Sequence, residues 1–167
     1  GPESRGENNV RRQPTSRMCF VCGRENPVGL KLAFYEDRQT DQVRASVIIP
    51  DQYQGYPGVV HGGILSTILD EVSGRAVMLQ EGDDRLMATL RMTVRFRRPT
   101  PTETPLTAVG WVVQVGGIGA RVAGEIRLSD GTVTASCESL LAEPPEEFKE
   151  GWEQEKPYWQ VGNKGKT

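Results

Sequence analysis

Hydrophobic and polar residues recur along this chain with two different periods. From Gly62 to Leu79, apolar residues return every three or four positions, at Ile64, Leu65, Ile68, Leu69, Val72, Ala76 and Leu79. That spacing puts them on one wide stripe of an amphipathic helix, which ends before Glu81-Gly82-Asp83-Asp84. No other segment predicts a helix of comparable length. Elsewhere the period is two. Residues 30–37 (LKLAFYED) and 42–49 (QVRASVII) read as short strands on either side of a polar turn. After the helix come four more strand-like runs, 86–97, 104–115, 119–128 and 132–142, separated by 98–103 (RPTPTE), 116–119 (GGIG) and 129–131 (SDG). In the first of these, Ala88, Leu90, Met92, Val94 and Phe96 share one phase, while Thr89, Arg91, Thr93, Arg95 and Arg97 share the other. One face is therefore apolar enough to pack on the helix. The order β-β-α-β-β-β-β predicts an α+β fold, a curved antiparallel sheet wrapped around one long central helix.

The ends have a different character. Residues 1–17 contain almost nothing that could be buried, and are expected to be disordered or loosely draped, with Gly1-Pro2 read as the scar of a removed tag. Residues 143–167 begin charged and proline-rich, but then carry Phe148, Trp152, Tyr158 and Trp159. Aromatic residues rarely stay exposed on free tails, so part of this end is expected to pack on its own domain or on a second subunit. A single domain is expected over residues 18–142.

With 167 residues, 37% of them hydrophobic and 25% charged, the chain fits one globular domain, and a net charge of −2 predicts no bulk attraction to nucleic acid or to acidic membranes. No apolar run reaches the ~20 residues that span a bilayer, so membrane insertion is not expected and a cytoplasmic location is the default. The three cysteines are odd in number and too few for a disulfide framework. Cys19 and Cys22 form a Cys-x-x-Cys, but a zinc site needs four ligands and Cys137 is the only other soft one. No metal and no cofactor are therefore expected, with an intersubunit metal or redox site as the minor alternative.

The chemistry concentrates around the only histidine, His61, followed by Gly62 and Gly63 at the helix start. Glycines there allow a ligand close approach, and the first N–H groups of a helix lack intrahelical partners and carry partial positive charge. Asp70 lies on the same helix but off the apolar stripe, in line with Gly63, Ser66, Ser73 and Gly74. That small, polar line is read as a contact with a second subunit's helix, where a partly desolvated carboxylate could act as base or nucleophile. The plainer alternative makes His61 a helix cap and Asp70 a surface charge. Arg91, Arg95, Arg97 and Arg98 could hold phosphates, or equally form a solvated or subunit-contact face.

Residues 61–77 (HGGILSTILDEVSGRAV) closely resemble the His-Gly-Gly helix of the PaaI-like acyl-CoA thioesterases of the hotdog-fold superfamily, and residues 53–63 (YQGYPGVVHGG) resemble the loop that leads into it. Residues 19–32 (CFVCGRENPVGLKL) and 92–101 (MTVRFRRPTP) resemble the start of such proteins and the strand after their helix. The resemblance implies a hotdog fold and hydrolysis of an acyl- or aryl-CoA thioester by a homodimer or homotetramer whose sites lie between subunits. It implies that the Gly62 amide, beside His61 and Gly63, polarises the carbonyl, that Asp70 is the catalytic acid, and that Thr89 helps position the attacking water. Several relatives have an Asn six positions before the histidine; here Gly55 stands there, with Gln54 beside it as the candidate to reach the same place. Arg95, Arg97 and Arg98 are the candidates for the nucleotide end of coenzyme A. Strand alternation turns Thr89 away from its own helix, so its role requires a strand irregularity or a subunit interface. A non-catalytic acyl-CoA-binding module is the alternative function, and a hydratase ranks behind it.

Overall fold

The computed structural model describes residues 10–117 and 119–162. Seven strands form one antiparallel sheet: β1 (Val10–Arg12), β2 (Tyr35–Asp37), β3 (Gln42–Ile48), β4 (Ala88–Phe96), β5 (Pro105–Gly116), β6 (Gly119–Leu128) and β7 (Val133–Ala142). Their order across the sheet is β1-β2-β3-β5-β6-β7-β4, which leaves β4 on an edge. The sheet curves around the helical segment, in the arrangement expected of a hotdog fold.

The apolar stripe behaves as its period requires. Helix α1 (Gly62–Gly74) buries Leu65, Ile68, Leu69 and Val72 against the sheet, and α2 (Ala76–Glu81) continues with Ala76 and Leu79. Full burial of each large aliphatic side chain contributes about 1.5–3 kcal/mol. One uninterrupted helix was expected, but the chain breaks it at Arg75, just after Gly74. Gly is a poor helix former, and the Arg75 guanidinium is drawn inward to the Pro14 carbonyl (2.8 Å) and Gln13 (3.3 Å). The helix also presses close to the sheet: a Cβ on Gly110 of β5 would collide with the Val72 carbonyl. Ser73 is buried at this contact and donates to Leu69 O at 2.7 Å. The polar line through Asp70 is thus not wholly available to another chain.

The N-terminal end departs from expectation. Residues 1–9 lie outside the described residues, but 10–17 belong to the fold. β1 pairs with β2, and Gln13, Thr15 and Ser16 are buried. The physical reason is polar satisfaction: buried Glu36 takes Gln13 Nε2 at 3.1 Å and Arg11 at 3.3 Å, and buried Arg75 needs the Pro14 carbonyl. Hydrophobicity alone does not register such a segment. Residues 30–34 also do not extend β2. Leu30 and Leu32 donate instead to Phe20 O and Val21 O, at 2.8 Å each.

The C-terminal end folds back on its own domain. Helix α3 (Glu146–Glu155) is followed by a turn that packs Trp152 edge-on against Trp159, with ring centroids 5.3 Å apart. Trp159 Nε1 donates to Asp83 O at 2.9 Å, and Gln160 bridges to Thr15. No helix among the described residues is long and apolar enough to cross a membrane.

Candidate active site

The loop before α1 is built from short-range hydrogen bonds. Gly55 N–H donates to Val59 O (2.9 Å), Gly58 N–H to Gln54 Oε1 (3.1 Å), and His61 N–H to Tyr53 O (3.0 Å). Gln54 therefore holds the loop with its carbonyl oxygen, and it is not among the residues lining the adjacent cleft. His61 caps α1: its Nδ1 accepts from Gly63 N–H at 2.9 Å. The Gly63 amide is thereby used, while Gly62 N–H has no hydrogen-bond acceptor among the described residues. The expected pair of amides reduces to one open donor, at the N-terminal, partly positive end of the helix.

Gly62 opens onto a cleft of about 680 Å³ whose walls include Tyr56, Val60, Leu65, Phe96, Arg97 and Arg98. The cleft is apolar at its floor, where Val60 and Leu65 are buried, and basic at its mouth. Glycine at position 62 leaves room beside Phe96, since a Cβ there would stand 3.2 Å from the ring, a tight contact. Phe96 was expected in the core; it is instead 57% exposed at the end of edge strand β4, and the sequence reading missed it as a cleft residue. An aromatic residue directly before Arg97-Arg98-Pro99, where the strand ends, was the available signal.

Asp70 sits further along α1, half-buried, in a smaller hollow of about 160 Å³ shared with Glu71, Arg75, Thr89 and Trp159. Thr89 Oγ1 donates to Asp70 Oδ1 at 2.7 Å. Simple alternation forbids that contact, and a bulge supplies it: Thr89 pairs with Leu141 and Arg91 with Leu140, so Leu90 is the extra residue. Leu90 is consequently turned out and 65% exposed.

The structure brings Asp70 to Thr89, and Gly62 to Arg97 and Arg98, but it separates these two groups within one chain. Eight residues of helix put Asp70 about 12 Å along the axis from Gly62. Arg95 belongs to neither group; with Arg97 it borders a depression containing Trp111, Glu125 and Glu138. Arg97 Nε also donates to Ser136 Oγ at 3.1 Å. Cys137 is buried beneath α1, and burial pushes its thiol pKa up, which suits a neutral core thiol rather than a nucleophile.

Comparison with known proteins bears on what this arrangement is. Residues 57–135 match the family model of the thioesterase superfamily. A solved thioesterase superfamily protein is 35% identical, with a TM-score of 0.70 over 76% of this chain; the present chain spans 61% of that protein's length. PaaI from the phenylacetic acid degradation operon of E. coli has the same fold at 19% identity, with a TM-score of 0.55, over 61% of this chain and 76% of its own. A Streptococcus mutans UA159 protein solved bound to acetyl CoA does so as well, at 19% identity and a TM-score of 0.54, over 61% of this chain and 80% of its own. No curated protein matches. The matched residues contain the His61-Gly62-Gly63 cap, Asp70 and Thr89, and the chain has the hotdog fold of the thioesterase superfamily proteins it resembles.

Proposed function

We propose that this protein hydrolyses an acyl- or aryl-coenzyme A thioester at a site assembled from two copies of the chain. The observation that carries the proposal is the 2.7 Å hydrogen bond from Thr89 to Asp70, which fixes the carboxylate and leaves Oδ2 without a partner among the described residues. A fixed carboxylate with one open oxygen suits a general base. In the proposed reaction a water oxygen adds to the thioester carbon while its proton passes to Asp70 Oδ2. The carbonyl oxygen gains negative charge against Gly62 N–H, at the positive end of α1. The C–S bond then breaks, and Asp70 returns the proton to the coenzyme A sulfur as the acid forms.

Two copies are required because Gly62 and Asp70 of one chain lie too far apart to act on one carbonyl. Edge strand β4 supports the same reading, since Leu90 and Phe96 stay exposed on it and a strand edge is a template for pairing. Arg97 and Arg98, at the cleft mouth, suit the phosphates of coenzyme A. Arg95, in a separate depression, is the weakest of the three candidates. The neighbour bound to acetyl CoA supports this ligand class for the fold.

The test is coenzyme A release from acetyl, hexanoyl, decanoyl, benzoyl and phenylacetyl thioesters by the parent, Asp70→Asn and Asp70→Ala. At least one substrate is expected to turn over, with a fall of at least ~100-fold in both variants at unchanged folding. A second reading, acyl-CoA binding without turnover, is favoured by one observation: the Gln54 side chain is tied to Gly58. It predicts thermal stabilisation by the thioesters with no coenzyme A released.

A further inference from the structure

Beyond the thioester site, three metal-ligating side chains converge from distant parts of the chain. One ligand atom from each of Cys19, Cys22 and Glu71 lies within 4.8 Å of the other two, and Cys19 Sγ is 3.8 Å from Glu71 Oε1. A tetrahedral zinc ion, with bonds of about 2.3 Å to sulfur and about 2.0 Å to oxygen, holds such atoms about 3.5–3.8 Å apart. The three donors thus stand close to where an ion would hold them.

The local structure fits this use. Gly23 N–H donates to Cys19 O at 2.7 Å, closing a tight Cys-x-x-Cys-Gly turn, and a Cβ on Gly23 would collide with the Cys19 backbone. Cys22 is buried and Cys19 half-buried. The second Glu71 oxygen is held by Arg75 Nε at 2.9 Å, and Arg75 is itself buried. Ligating carboxylates are ordinarily oriented by such an outer hydrogen bond. Two thiolates and a carboxylate would be balanced by one divalent cation together with the Arg75 guanidinium. Ser16 Oγ, 3.5 Å from Cys22 Sγ, adds a fourth polar atom to the group. Thiolate donors select zinc over magnesium or calcium. The third protein ligand, absent from any local motif, comes from a helix about fifty residues away.

We infer that Cys19, Cys22 and Glu71 form a three-ligand zinc site, with the fourth tetrahedral position left to a water molecule, that ties the segment around Cys19–Cys22 to α1, one residue from Asp70. The ion enters as a divalent cation, and each thiol that becomes a ligand releases its proton. The site goes beyond the proposed hydrolase reaction and is read out independently of it.

The full chain, reduced with a phosphine, stripped with a chelator and desalted, is titrated with Co²⁺ and then Zn²⁺. One Co²⁺ per chain is expected, with a near-ultraviolet thiolate-to-metal charge-transfer band that one equivalent of Zn²⁺ abolishes. Glu71→Gln should weaken Co²⁺ binding at least ~10-fold while keeping the band. Cys19→Ser should diminish the band, and Cys137→Ser should leave it intact. A stripped chain that loses its fold and regains it only with zinc supports the site equally. The inference is overturned if the folded, reduced parent binds no Co²⁺, if Co²⁺ binds without a charge-transfer band, or if Cys137→Ser removes the band while Cys19→Ser does not.

Discussion

Thr89 reaches Asp70 because β4 carries one residue too many. The bulge at Leu90 turns the Thr89 hydroxyl toward α1, where Oγ1 donates to Asp70 Oδ1 at 2.7 Å. Hydrogen bonds to charged groups contribute about 1.5–3 kcal/mol, so Thr89→Val should lower kcat for thioester hydrolysis by about 10- to 100-fold. Thr89→Ser keeps the donor and should stay within about threefold of the parent. Steady-state kinetics on both variants check this. Equal losses in the two would show that the hydroxyl is not what matters.

Gly62 and Phe96 are sterically coupled. A methyl group at position 62 meets the exposed Phe96 ring at 3.2 Å, so the ring must shift by a few tenths of an ångström and Gly62→Ala should cost at most about 1 kcal/mol. Phe96→Leu, added to it, should restore part of that loss. A double-mutant cycle by urea unfolding measures the coupling, and strict additivity would contradict the contact.

Two glycines near the Arg75 break should respond in opposite directions. Gly110→Ala would drive a Cβ into the Val72 carbonyl and should cost about 3 kcal/mol or more, or prevent folding. Gly74, in α1, has open space around its missing Cβ, so Gly74→Ala should stabilise by about 0.5–1 kcal/mol. Thermal unfolding of both variants provides the comparison.

Trp159 anchors the C-terminal end through its bond to Asp83 O and its edge contact with Trp152. Trp159→Ala should destabilise by about 2 kcal/mol or more, while Trp159→Phe, which keeps a ring but loses the donor, should cost less. Chemical denaturation of the two variants separates the ring from the hydrogen bond.

The elements that local periodicity specifies were legible in the sequence. The Leu65/Ile68/Leu69/Val72 stripe and the four later strands lie where spacing places them. What escaped depends on partners remote in sequence. The Leu90 bulge is set by register against β7, so alternation alone pointed Thr89 the wrong way. Residues 10–17 are held by buried Glu36 and Arg75, whose unmet hydrogen bonds no hydropathy pattern displays. Phe96 reads as core because its phase matches Val94, yet it stands where the edge strand ends. Nothing in the local sequence sets Glu71 apart; only the fold brings its Oε1 to 3.8 Å from Cys19 Sγ.

The central claim is that Gly62 N–H of one copy and Asp70 of another act on the same thioester. Gly62 is the first residue of α1, a position where proline fits the helix but supplies no N–H, and His61 already has the extended ψ of 135° that a following proline requires. Made in a shared Phe96→Leu parental background, which relieves the contact of a new Cβ with the Phe96 ring, Gly62→Pro deletes the donor and Asp70→Asn deletes the base. The decisive measurement is coenzyme A release by each variant alone and after the two are unfolded and refolded together. The account predicts that each is nearly inactive and that the mixture recovers about a quarter of parental activity, because half the dimers are mixed and each mixed dimer holds one intact site. A mixture no more active than the sum of its separate components would contradict a site shared between chains.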